Sequence, residues 1–178
     1  MEEDAITNME VAHIFLRIAE IMAYREESGF KVRAYYRVAL LLSALAEPLA
    51  DIAARGELET LRGIGAAIAG KIVEILQTGT CGLYERLKAE TPEEIQALLR
   101  VTGLTPRLVR LLETKFEVRN VEAFLELAQH GGLADFEDYE IKLEDAAQLL
   151  RAAEALGLFG PERVLPVKGA TGGGVGHG

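Results

Sequence analysis

Tryptophan is absent from this chain of 178 residues, and cysteine occurs once, at Cys81. A lone cysteine excludes an internal disulfide and suits a reducing compartment, so a cytoplasmic location is expected. Histidine is scarce: His13, His130 and His177 lie far apart, and with one cysteine they make no zinc-binding constellation. No apolar run reaches the ~20 residues that span a bilayer, so no membrane partner is expected. The opening residues Met1-Glu2-Glu3-Asp4 are acidic and lack the pattern of a secretory signal. Basic excess is missing too. The formal net charge is −9, which argues against broad electrostatic attraction to nucleic acid.

What is present is apolar and helical. Hydrophobic residues make up 49% of the chain, enough to bury a core in one domain or two small ones. Ala and Leu dominate, β-branched runs are short, and apolar residues recur every three or four positions, so the expected class is all-α. The first helix spans residues 8–24, with Val11, Ile14, Phe15, Ile18, Ile21 and Met22 on one face and Asn8 as its N-cap. Gly29 separates it from a helix over 32–45. Pro48 opens a third that runs to about Arg55 and ends at Gly56. Further helices are expected up to about Gln77, over 83–89, over 92–100 capped by Thr91, and over 106–115, 121–129 and 143–156. From Lys168 the chain is Gly-rich and is expected to form a flexible tail.

One string points to a ligand. Gly63-Ile64-Gly65 sits between an apolar lead-in and an amphipathic helix, the layout of a helix-hairpin-helix. Glycine takes positive φ, allows a tight reversal, and lets an anion come close to the backbone. The helix beginning near Gly65 and Ala66 offers unpaired N–H groups and a positive dipole end to a phosphate. Ile64 should pack inward and anchor the turn. A plain glycine-capped connection would read the same way from this string alone.

A repeat strengthens the reading. At an offset of 40 residues, Gly63 meets Gly103, Ile64 meets Leu104, and Ile68 meets Leu108. Thr105 replaces the second glycine. Threonine resists positive φ, so this turn is expected to be distorted. Its hydroxyl would then cap the following helix, with Pro106 at the first helical position. Charge is unevenly spread: residues 117–162 hold 11 Asp/Glu against 3 Lys/Arg. Between 100 and 115 the sign reverses, with Arg100, Arg107, Arg110 and Lys115 against Glu113. A basic face can therefore coexist with an acidic remainder.

With those residues placed, residues 8–150 resemble the N-terminal part of bacterial family X DNA polymerases, relatives of DNA polymerase beta. The strings that carry the likeness are Gly29-Phe30-Lys31-Val32-Arg33-Ala34-Tyr35, Leu61 to Ile72, Glu74-Ile75-Leu76-Gln77-Thr78-Gly79, and Leu98 to Leu112. The resemblance implies tandem helix-hairpin-helix units. A polymerase beta-like helical domain would occupy residues 1–89, a second hairpin region 90–160, and a tail 161–178. It implies sequence-independent grip on the phosphates of gapped or nicked DNA in repair, alone or with a separately encoded repair enzyme. The implied contacts are Gly63, Ile64, Gly65, Ala66, Lys71, Arg33 and Arg37, then Gly103, Thr105, Arg107 and Arg110. A monovalent cation, sodium or potassium, would sit on the backbone carbonyls of Glu59, Leu61 and Ile64; no other cofactor is implied. Polymerisation is not expected, because the 178 residues hold no Asp-x-Asp pair for a two-metal site. A third hairpin turn would fall near Leu133, where Asp135-Phe136-Glu137 places acids that repel phosphate.

Lys71 is the catalytic candidate. In lyase-active relatives the lysine at this position attacks the C1′ aldehyde of a 5′-deoxyribose phosphate. That needs a neutral amine. Glu74, three residues on, is placed to pair with Lys71 and favour its charged form. Among the aromatics, Phe30 and Tyr35 read as core rather than as a base-stacking platform, while Arg33 and Arg37 share one helix face. Three functions follow: a DNA-binding module, a deoxyribose-phosphate lyase using Lys71, or a protein-interaction module whose DNA face has decayed.

Overall fold

The computed structural model describes residues 5–101 and 104–130. Every regular element among them is helical: α1 (Asn8–Tyr24), α2 (Gly29–Ala44), α3 (Leu49–Ala54), a 3₁₀ turn at Leu58–Thr60, α4 (Ala66–Thr78), α5 (Gly82–Ala89), α6 (Glu93–Arg100), α7 (Pro106–Phe116) and α8 (Val121–Gln129). The helix expected over 143–156, the Gly-rich tail and the acidic third turn at Asp135-Phe136-Glu137 lie outside the described residues. The chain divides into two compact units between Glu90 and Thr91.

In the first unit, α1 packs along α2. Val11, Phe15, Ile18 and Met22 are wholly buried on the face that the period of three and four predicts. The Tyr35 ring from α2 stacks on Phe15, centroids 6.0 Å apart and planes 21° apart. Leu42, Leu49, Ile72, Ile75 and Leu87 complete the core.

The start of α1 departs from the expected cap. Thr7, not Asn8, is the N-cap. Its hydroxyl accepts the Glu10 N–H at 3.1 Å, and Glu10 Oε2 accepts the Thr7 N–H at 2.7 Å, a reciprocal capping box. Asn8 serves as a latch instead. Its Nδ2 donates to the Glu47 carbonyl at 2.8 Å and the Leu45 carbonyl at 3.3 Å, and its Oδ1 accepts the Leu49 N–H at 2.7 Å. One side chain thus ties the first helix to the start of α3.

Other boundaries shift slightly. The second helix starts at Gly29, three residues earlier than the spacing predicts. Pro48 and Pro92 occupy N-cap positions rather than first helical turns. Thr91 is therefore not the cap of α6; its carbonyl accepts a 2.8 Å bond from Gln96 Nε2. Before the hairpin, the Arg55 guanidinium binds Glu47 and, at 3.1 Å, Glu57. That pairing holds the Glu47 carboxyl below its ordinary value.

In the second unit, Ile95, Leu98 and Leu99 of α6 face Leu108, Val109 and Leu112 of α7 in a continuous apolar core. Phe124 of α8 joins them. The end of α7 is set by Glu117 in the left-handed region at φ 54°, with the Val118 N–H closing on the Leu112 carbonyl at 2.9 Å.

Candidate nucleic-acid interface

The turn before α4 is built as its residues suggest, with one difference. Gly63 has φ 86°, a conformation that other residues rarely adopt. Ile64 is 4% exposed and anchors the turn inward. Gly65, however, is extended at φ −90° and ψ −178°. Any residue can take that conformation, so the second glycine is not there for its backbone freedom. Nor does the chain need the space: a Cβ built on Gly65 meets no atom within 4 Å. The premise that Thr105 must distort the second turn falls with it.

Gly65 is the N-cap of α4, and no side chain caps the helix. The first amide to find a partner is that of Ala69, on the Gly65 carbonyl at 2.9 Å. The N–H groups of Ala66, Ala67 and Ile68 have no acceptor among the described residues. Gly63, Gly65, Ala66 and Ala67 are exposed, so these donors open to solvent at a positive helix end.

The second turn differs. Gly103 lies outside the described residues. Leu104 is buried, as its partner Ile64 is. Thr105 is extended at φ −70° and ψ 155°, and its hydroxyl accepts the Leu108 N–H at 3.1 Å, with Pro106 opening the helix. Pro106 has no N–H and the Val109 amide reaches the Thr105 carbonyl at 2.9 Å, so of the first-turn amides only that of Arg107 is left. The Arg107 side chain is exposed; that of Arg110 is half-buried.

One turn past its open start, α4 borders a cleft of about 590 Å³. Lys31 and Tyr35 of α2 line it, with Ala67, Lys71 and Glu74 of α4 and Gly82, Leu83 and Arg86 of α5. Lys71 is half-buried there, its Nζ 3.5 Å from the Ala67 carbonyl. The expected pairing of Lys71 with Glu74 is not made. Glu74 Oε1 accepts the Gly82 N–H at 3.1 Å, because a carboxylate is well placed against the positive start of α5. Below Gly82, the Cys81 thiol is wholly buried. Burial pushes its pKa up, so it stays protonated. Burial, with Cys81 beside it, likewise raises the Tyr35 hydroxyl, against a smaller opposing pull from Arg86.

One expectation is displaced. Phe30 is not core but 76% exposed. Arg33 and Arg37 are exposed and do not line the cleft. Conversely, sequence reading passed over Lys31 and Arg86, which line the cleft. Lys31 sits inside the string shared with family X polymerases and could have been found there; Arg86 is brought in by α5 and has no local signal. Of the carbonyls expected to hold a cation, those of Glu59 and Ile64 accept no backbone hydrogen bond, and that of Leu61 accepts one, from Ile64 at 3.1 Å. Among the described residues no cluster of His, Cys, Asp or Glu is grouped to hold a metal, and no helix is long and apolar enough to cross a membrane.

Comparison with known proteins agrees with this geometry. Residues 6–81 match the helix-hairpin-helix domain family. Over 156 residues, 86% of its length, the chain is 25% identical to the DNA polymerase/3′-5′ exonuclease PolX of Bacillus subtilis (strain 168). It spans about a quarter of that protein, 26% of its length. Residues 6–81 are thus similar to the helix-hairpin-helix domain family, and the chain resembles part of a family X polymerase.

Proposed function

We propose that this protein is a sequence-independent DNA-binding module that holds gapped or nicked duplex by its phosphates and serves DNA repair. The observation that carries the reading is the pairing, on one helix, of an uncapped N-terminus and a cationic cleft. Three amides at Ala66, Ala67 and Ile68 are free for phosphate oxygens, and Gly65 adds no side chain to hold a backbone away. Lys31, Lys71 and Arg86 converge in the cleft against one carboxylate, Glu74. That surplus suits a terminal 5′ phosphate, whose charge of about −2 exceeds that of an internal phosphodiester. Arg107 and Arg110 add phosphate contacts from the second hairpin. The relative's name, a polymerase and exonuclease, supports DNA as the ligand. The same grip could be lent to a separately encoded repair enzyme.

A monovalent cation on the carbonyls of Glu59, Leu61 and Ile64 fits this scheme. Two of those oxygens are free and the third keeps a lone pair. Bound there, the ion would offset phosphate charge beside the turn.

The test is a salt series of binding isotherms on gapped 5′-phosphorylated, gapped unphosphorylated and intact duplexes. Log K should fall linearly with log salt, and the phosphorylated gap should bind tightest. Lys31→Ala and Arg86→Ala should erase the phosphate preference while backbone binding survives. No binding at low salt would overturn the reading in favour of a protein-interaction module.

One observation favours a second reading, deoxyribose-phosphate lyase. Glu74 is engaged with α5, so it does not hold the Lys71 ammonium in the cleft. A neutral Lys71 Nζ would attack the C1′ aldehyde, water would leave, and an imine would form. Loss of a C2′ proton would then expel the 3′ phosphate, and hydrolysis would free the amine. Borohydride should trap the imine on an abasic substrate. A trap unchanged in Lys71→Ala, or none at all, removes this reading.

A further inference from the structure

Helix α2 presents one face to the cleft and a second, exposed stripe away from it. At 100° per residue, Phe30, Arg33, Arg37 and Leu40 fall within an arc of about 80°. Lys31 and Tyr35, which line the cleft, lie about 160° round the helix from the centre of that arc.

The stripe is unusual for a surface. Phe30 is 76% exposed and Leu40 is 70% exposed, the two most exposed large hydrophobic residues described. They stand about 15 Å apart along the axis and bracket the two arginines. Single exposed leucines are common and need no explanation. Two large apolar side chains framing two free guanidiniums on one stripe do. Neither Arg33 nor Arg37 has an ionic or hydrogen-bonding partner among the described residues, and both are exposed. Aromatic and arginine side chains are the residues enriched in the centres of protein–protein interfaces.

We propose that the outer stripe of α2 docks an acidic amphipathic segment of a protein partner. The fit is specific in its chemistry. Arg33 and Arg37 are one helical turn apart, about 6 Å in rise, so they pair with carboxylates placed at i and i+4 on a partner helix. Phe30 and Leu40 then take apolar side chains to either side of the acids. Phosphate is the poorer occupant, because Leu40 offers nothing to it. The inference stands independently of the DNA reading.

The full chain is tested by fluorescence anisotropy against a synthetic labelled helix with Glu at i and i+4 and Leu at i−3 and i+7. A control peptide carries Gln for both acids. The Glu peptide should bind at least about tenfold tighter than the control, as charge-assisted pairs to arginine require. Arg37→Glu should weaken it by about tenfold, the loss expected of a central anchor, and Leu40→Ser, at the edge of the stripe, by about threefold. Circular dichroism should not change, since both side chains are exposed, and the gapped-duplex affinity of Leu40→Ser should stay within about twofold. Equal binding of the two peptides would overturn the proposal. So would a parallel loss of duplex affinity in Leu40→Ser, which would make the stripe a DNA surface. A dimer dissolved by Arg37→Glu in sedimentation would overturn it as well, by making the occupant a second copy.

Discussion

The two hairpins, 40 residues apart, solve one problem in opposite ways. Each must satisfy the amides at the start of a helix. The second does so from within: Thr105 gives its hydroxyl to the Leu108 amide, and Pro106 removes another donor. The first leaves Ala66, Ala67 and Ile68 unmet behind a residue with no side chain. A self-satisfied turn gains local stability. An unsatisfied, exposed one costs little in water and stays open to a ligand. The difference teaches that the second glycine of the pattern is not a demand of the fold, since neither φ nor space requires it at Gly65, and that it leaves the helix start open.

That comparison can be broken by exchanging the two chemistries. The largest effect is expected from Gly65→Val. A Cβ meets nothing in the chain, so helix content by circular dichroism should hold while gapped-duplex binding is lost. Normal binding by that variant would remove the turn as a contact. Gly65→Thr should rebuild the second hairpin in the first. Its hydroxyl would cap α4 and stabilise it by roughly a few tenths of a kcal/mol. It would also consume one donor, and losing one charge-assisted bond of about 1.5–3 kcal/mol predicts at least a tenfold weaker complex. Melting temperature and affinity should therefore move in opposite directions. Arg107→Ala should weaken binding by about threefold and reduce the salt slope by about one, because it removes one phosphate contact. Smallest, Thr105→Gly should free the Leu108 amide at a cost of a few tenths of a kcal/mol and raise affinity by about twofold. A fall in affinity would mean that the hydroxyl itself touches the ligand.

The helices were legible because their signals are local. The apolar face of α1, the inward Ile64, and the cap made by Thr105 with Pro106 all follow from neighbours in sequence. What was not legible depends on distance. Asn8 reads as a cap until α3 is seen to lie within its reach, and Thr7 with Glu10 is the better local pair. Phe30 reads as core because aromatic residues usually are; the residue that fills that place on α2 is Tyr35, against Phe15. The cleft draws on three helices, so no window of sequence contains it. Glu74 pairs with Lys71 on an isolated helix, and only the arrival of α5 offers it a better partner.

The buried Cys81 carries a consequence of another kind. It is the only thiol in the chain, it is wholly shielded, and burial keeps it protonated. Modification by a small disulfide reagent must wait for the first unit to open around it. The protein thus contains its own clock: the labelling rate under native conditions counts openings of the first unit around Cys81. DNA that seats between α4 and α5 should slow that clock, with no probe added and no residue changed.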